Sequence, residues 1–233
     1  MNKTAASDLQ GPDTGSASRQ AEIAYSRIKD AVIRGEFAPG HQALEQELAL
    51  RFGMSRTPIR EALVRLAQER YIELVPRRGM RVSALSARDI REINEVLGGL
   101  EAQAAERLAS RKLAPEELAQ LDAAIAAMDH ALENEDLTAW SEADYHFHRL
   151  LVELCGNRTL IGIATQLLEK AHRFRMISTP QRSRPVYSNV NHAAVVEAIR
   201  RGDPQTAVEI HRSHKRRWSR ELTDVLDRLG IDE

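Results

Sequence analysis

Apolar residues recur every three to four positions along most of this 233-residue chain, the period of helices that bury one face. From about Arg19 to Arg34 the inward set is Ala21, Ala24, Tyr25, Ile28, Ala31 and Val32, with Gly35 past the end. Ala38-Pro39-Gly40 reads as a turn. Leu44, Leu48, Ala49 and Phe52 predict a short second helix, and Ile59, Ala62, Leu63 and Leu66, at i, i+3, i+4 and i+7, a third. The period then shortens. Tyr71 to Val75 and Met80 to Ser83 read as strands around Pro76-Arg77-Arg78-Gly79, a β-hairpin with a basic tip. After a short linker at 84–86, in which Ser86 can cap the next helix, the helical period returns and holds to the end. It predicts helices at roughly 87–111, 115–133, 137–155, 158–178, 189–201 and 204–229, broken by proline, glycine or polar clusters, with no convincing strand. Such a chain packs as an antiparallel helical bundle over 87–233. Residues 1–18 are polar without a periodic apolar pattern and are expected to be a disordered arm.

The run from Gly53 to Leu63 has the chemistry of a turn that launches a helix. Gly53 can end one helix left-handed, Ser55 or Thr57 can cap the next, and Pro58 falls in its first turn, where a missing N–H costs nothing. The two helices on either side form a helix-turn-helix. Arg56, Thr57, Arg60 and Arg65 lie off the apolar face of the second. Arginines and hydroxyls at a helix N-terminus suit a DNA major groove, where they meet phosphates and base edges. The plainer reading, a solvated charged face, loses weight against the cap, the preceding helix and the basic hairpin together.

Charge supports that placement. The chain carries 33 Lys+Arg and 34 Asp+Glu, but residues 1–85 hold a net +3 and the remainder −4, so the first part alone leans toward a polyanion. Aromatics are sparse. The single cysteine, Cys155, forms no intrachain disulfide and reads as a small buried hydrophobe. No apolar run approaches a membrane span and the polar start has no signal-peptide core, so a cytoplasmic protein without a membrane partner is expected.

A second constellation lies in the helical part. Asp144 and His148, at i and i+4, project from one helix face, His192 begins the penultimate helix, and His214 stands on the last. A carboxylate and three imidazoles suit a divalent ion. Spacing alone does not select them from eight histidines. His41, His130 and His172 read as ordinary surface or satisfied residues, His146 faces away from His148, and His211 shares a face with His214 one turn away.

The motifs Gly35-Glu36-Phe37-Ala38-Pro39-Gly40, Leu44 to Ala49, Ser55 to Leu63 and Arg78-Gly79 resemble the winged helix-turn-helix of GntR-superfamily bacterial transcriptional regulators; Arg70 stands where that family usually has glycine. Asp144-x-x-Phe147-His148-x-x-Leu151, Gly156-Asn157, and His192 through Gly202-Asp203 to His214 resemble the all-helical FCD effector domain of the FadR-like branch. The resemblance implies a mainly α protein: three helices plus a β-hairpin over 19–83, followed by an all-α antiparallel bundle. It implies a metabolite-responsive regulator that is not an enzyme, a repressor binding an inverted-repeat DNA operator as a homodimer. Gln46, Ser55, Arg56, Thr57, Arg60, Arg78 and Gly79 become the DNA-contact candidates. It also selects the metal ligands, Asp144, His148, His192 and His214, for Zn or Ni, whose open positions receive a small organic acid. Many relatives carry Arg where this chain has Leu97 and an acid where it has Asn191, so Arg173 and Arg175 are the effector-binding candidates. Two rivals remain: a metal-dependent enzyme acting on a small carboxylate, and a regulator whose ion is purely structural.

Overall fold

The computed structural model describes residues 14–179 and 184–231; most of the expected arm at 1–18 lies outside them. Of the described residues, those up to 84, apart from 33–35, form one compact unit, and those from Leu85 onward, with 33–35, form the other.

In the first unit α1 (Thr14–Ile33) starts earlier than its apolar pattern suggests. It buries Ala24, Ile28, Ala31 and Val32 against the apolar faces of α2 (Glu45–Phe52) and α3 (Arg56–Gln68), where Leu48, Ile59, Ala62, Leu63 and Leu66 are sealed from solvent. Leu44 is not inward as its period implies. It sits one residue before α2 with extended backbone and is 44% exposed. Gly53 closes α2 at φ 65°, a conformation open to glycine at little cost, and Ser55 takes the extended N-cap position of α3 without a side-chain hydrogen bond. Arg70 does adopt the left-handed backbone usual for glycine, at φ 63°.

The hairpin is β2 (Ile72–Val75) and β3 (Gly79–Val82), and a two-residue strand, β1 (Gln42–Ala43), pairs with β3 to give the antiparallel order β1-β3-β2. That third strand is too short to show in the hydrophobic pattern. It explains Gly79: a Cβ there would fall 2.2 Å from the Ala43 carbonyl oxygen and 2.8 Å from Leu44 Cα, so glycine is required where β1 crosses the wing.

The second unit is helical throughout its described residues: α4 (Ala87–Ser110), α5 (Pro115–Glu133), α6 (Leu137–Glu153), α7 (Arg158–Ser178), α8 (Val186–Arg201) and α9 (Pro204–Leu229). Ser86, Asp136, Asn157 and Asp203 cap α4, α6, α7 and α9 through their side chains, each satisfying a backbone N–H that the helix start leaves open. Helix α4 packs on α9, α5 on α6 and α8 on α9. Apolar clusters fill the bundle, one around Leu108, Leu151, Leu168 and Ile199 and another around Met128, Trp140, Phe147 and Val196. The same helices also carry a layer of buried polar groups.

Candidate functional site

That layer is built from five helices. Asp144 and His148 come one turn apart from α6, His192 from α8, His211 and His214 from α9, Glu101 from α4 and Arg175 from α7. The i, i+4 spacing sets Asp144 and His148 on a face that must be buried because Phe147 and Leu151 accompany it. Imidazole nitrogens of His148, His192 and His214 lie within 4.8 Å of one another. Asp144 adjoins this trio: Oδ1 is 2.9 Å from His192 Nε2, and Oδ2 is 3.7 Å from His148 Nε2 and 3.1 Å from Arg175 Nη1. The His192 ring stacks on Phe147, with centroids 4.4 Å apart.

His211, the competing histidine, turns away from the trio toward Glu101, with Nε2 3.3 Å from Oε2. Glu101 is fully buried and also meets Lys215 Nζ at 2.6 Å and His148 Nδ1 at 2.7 Å. Sequence reasoning missed it. The signal was present, because Glu101 stands four residues after Leu97 and three before Ala104, on the apolar face of α4.

Electrostatics favour ionised Glu101 and Asp144 and neutral His148 and His214. Burial would raise the Glu101 and Asp144 carboxyls, yet both are held well below the usual range, Glu101 by His148 and Lys215 and Asp144 by Arg175 and His148. Burial pushes His148 down to about 4 despite Glu101 and Asp144, and it pushes His214 well below its ordinary value, with His192 and Lys215 acting in the same sense. Neutral imidazoles beside an ionised carboxylate are the donor set a divalent cation takes. His192 Nδ1 and His214 Nδ1 are buried with no hydrogen-bond partner among the described residues, and with Asp144 beside them the set fits an ion.

A cavity of about 250 Å³ opens onto this layer. Asp144, His148 and His214 line it with Arg175, and Trp140 and Trp218 supply apolar wall. Arg173 is buried and is not among the lining side chains. Leu97 is buried, and Asn191 donates to the Tyr187 carbonyl within its own helix. Of the histidines set aside from sequence, His41, His130 and His146 are exposed, but His172 is buried, stacked on Tyr145 with centroids 4.3 Å apart and 3.3 Å from Glu142.

Burial lowers His172 to about 3, which gives a pH prediction. Between about 6.5 and 3 the unfolded chain holds a proton that the folded chain does not, so stability is greatest above pH 6.5 and falls on acidification. His148, His211 and His214 shift in the same direction. Urea unfolding of metal-free protein should show lower stability at pH 5 than at pH 7, and His172→Asn should flatten that slope by up to about 1.4 kcal/mol per pH unit. An unchanged slope in the variant would show that His172 titrates alike in both states.

In the first unit the start of α3 presents Ser55, Arg56, Thr57 and Arg60 to solvent, with Gln46 exposed on α2 and Arg78 at the hairpin tip. Arg65 is committed elsewhere: it meets Glu22 at 2.6 Å and covers the Tyr25 ring at 3.8 Å.

Residues 20–82 match the gntR family of bacterial regulatory proteins, and residues 92–217, over half the chain, match the FCD domain. The chain belongs to the GntR family of regulators. An HTH-type transcriptional regulator from the TAR-I ttuE-ttuC' intergenic region of Agrobacterium vitis is 43% identical over 147 residues, 62% of this chain and 85% of that protein. The transcriptional repressor RspR of Escherichia coli K12 is 25% identical over 86% of this chain and 88% of its own. Among solved structures, Escherichia coli McbR/YncC shares the fold, with a TM-score of 0.77 at 22% identity over 88% of this chain and 97% of that one. This GntR regulator is therefore a winged helix-turn-helix followed by an FCD effector domain, and its families and relatives are transcriptional regulators, not enzymes. Among its described residues no helix is long and apolar enough to cross a membrane.

Proposed function

We propose that this regulator is a homodimeric repressor that reads an inverted-repeat operator and senses a small organic acid at a metal centre in its FCD domain. The observation that carries the reading is the trio His148, His192 and His214, with Asp144 beside it, at a cavity that also holds Arg175. These four residues would hold a divalent ion, Zn or Ni. The ion would act as a Lewis acid that draws a carboxylate into the cavity, and Arg175, 12% exposed beside Asp144, would steady the acid's remaining charge. At the DNA surface Gln46, Ser55, Arg56, Thr57 and Arg60 are the groove-facing set, with Arg78 on the wing and Gly79 serving the wing's own packing. Exposed Val96 and Ile163, beside open Gly99 and Gly162 on the neighbouring helices α4 and α7, favour a dimer, since they leave room for a second backbone to approach.

Purified protein should hold about one divalent ion per chain, and a thermal-shift screen of small acids should find stabilisers only in its presence. His211→Ala should keep the ion, because Glu101 rather than the trio engages His211; loss of the ion by elemental analysis would move the ligand assignment to His211. Arg78→Ala should weaken binding to every duplex alike, as a phosphate contact does. Unchanged affinity would remove the wing from the interface. Acid binding and DNA release that both persist after complete chelation would leave the ion as a structural fastener.

A further inference from the structure

Glu45, the first residue of α2, reaches across to α3. Its carboxylate accepts from Arg56 Nη2 at 3.1 Å and from Arg60 through Nε at 3.1 Å and Nη2 at 3.2 Å. Its side chain is 21% exposed beneath two arginines that are 64% and 67% exposed. An acid here opposes approach to a polyanion. Helix α2 has little need of it, since Glu47 in the same turn already closes the helix start by accepting from Leu44 N at 2.7 Å. The arginines remain as its purpose.

A guanidinium has five N–H groups in a fixed plane. With Nε–H and one Nη2–H of Arg60 on Glu45, the end-on pair, one hydrogen from each Nη, stays open. Such a pair matches O6 and N7 of guanine when it is held pointing into the major groove. Glu45 also removes rotamer freedom that a long side chain would otherwise lose on binding.

We propose that Glu45 is a specificity-determining residue of DNA reading: its bridge to Arg56 and Arg60 aims the open edge of Arg60 at a guanine and offsets the pull of both arginines toward the phosphate backbone. This rests on the assignment of α3 as the DNA-reading helix. Glu45 lowers affinity for any duplex and raises discrimination between duplexes. It is a positioning residue, and a purely structural role would leave the discrimination ratio unmoved.

The test uses the full-length protein and two probes: a duplex recovered by wild-type protein from a randomised library, and a scrambled duplex of the same composition. Dissociation constants are read by fluorescence anisotropy across a salt series. Glu45→Gln keeps the size but loses the charge. It should bind the scrambled duplex about three- to tenfold more tightly, with a log–log salt slope steeper by about one, as expected for one released cation. The selected-to-scrambled ratio should fall about tenfold, and reselection should turn a fixed guanine degenerate. Glu45→Asp keeps the charge but is too short to bridge both arginines. It should retain the wild-type salt slope and still lose discrimination. Thermal melting confirms that both variants fold. Parallel changes on the two duplexes, or an unchanged ratio in Glu45→Gln, would overturn the proposal while leaving α3 as the reading helix. So would loss of a cytosine preference with guanine intact, which would mean a direct carboxylate contact with the cytosine amine. A wild-type protein that recovers no duplex would overturn the α3 assignment and this proposal together.

Discussion

His192→Ala is expected to lose the bound ion and the response to the effector while binding DNA much as before. His192 is fully enclosed, stacked on Phe147, and joined to Asp144 Oδ1 at 2.9 Å, so alanine would remove a proposed ligand and leave Asp144 with one neighbour fewer. Loss of a direct ligand should cost more than the 10- to 100-fold typical of outer-shell substitutions. Asp144 and His148 come from α6, His192 from α8 and His214 from α9, so if these residues hold an ion, an acid bound beside it would draw on three helices at once. Transmission to DNA needs differential affinity for two arrangements, typically about 1–3 kcal/mol of coupling. Operator affinity should therefore shift about 5- to 150-fold with the cognate acid in wild-type protein and not at all in the variant. An acid response retained by His192→Ala would refute the mechanism.

Arg60→Ala should have the largest effect at the DNA surface. A bidentate arginine–guanine contact carries about 1–3 kcal/mol of discrimination, so binding to a selected duplex should fall about 5- to 150-fold while a scrambled duplex loses far less. Equal losses on both would make Arg60 a phosphate contact. The comparison with Glu45→Gln separates the two residues, since one deletes the reading group and the other releases it.

Much of this architecture was legible because local signals agreed. The run from Gly53 to Leu66 combines a left-handed stop, an extended cap, a proline in the first turn and an unbroken apolar period, and α3 forms where they coincide. The starts of α4, α5, α6, α7 and α9 were equally plain, each following a capping side chain or marked by an N1 proline. Less was visible where tertiary contacts decide. Two residues make β1, and only the partner strand turns them into a strand. Leu44 fits the period of α2 yet sits at its cap, facing solvent. Helix α8 begins at Val186, just past Pro185, earlier than its apolar residues show.

The candidate site divides in the same way. Asp144 and His148 share a helix face by spacing alone, but choosing His214 over His211 needs the position of Glu101 on another helix. Glu101 itself hid among the charges of α4, because a buried acid and a surface acid look alike until their neighbours are known. His172 reads as ordinary in the sequence, yet it is buried like His148 and His192; its placement goes with stacking on Tyr145, a contact between helices that no spacing rule announces.

The cavity wall has an optical consequence. Trp140 and Trp218 are the chain's two tryptophans, and both line the cavity. Their indole N–H groups are anchored to Asn189 at 2.8 Å and Asn94 at 3.2 Å, so the rings have little freedom to blur a change in surroundings. Intrinsic fluorescence excited in the indole band therefore reports from the cavity, with no background from tryptophans elsewhere. A paramagnetic ion such as Ni²⁺ should quench it on loading, and an acid entering afterwards should shift the emission as water leaves the wall, so occupancy can be followed in unlabelled protein.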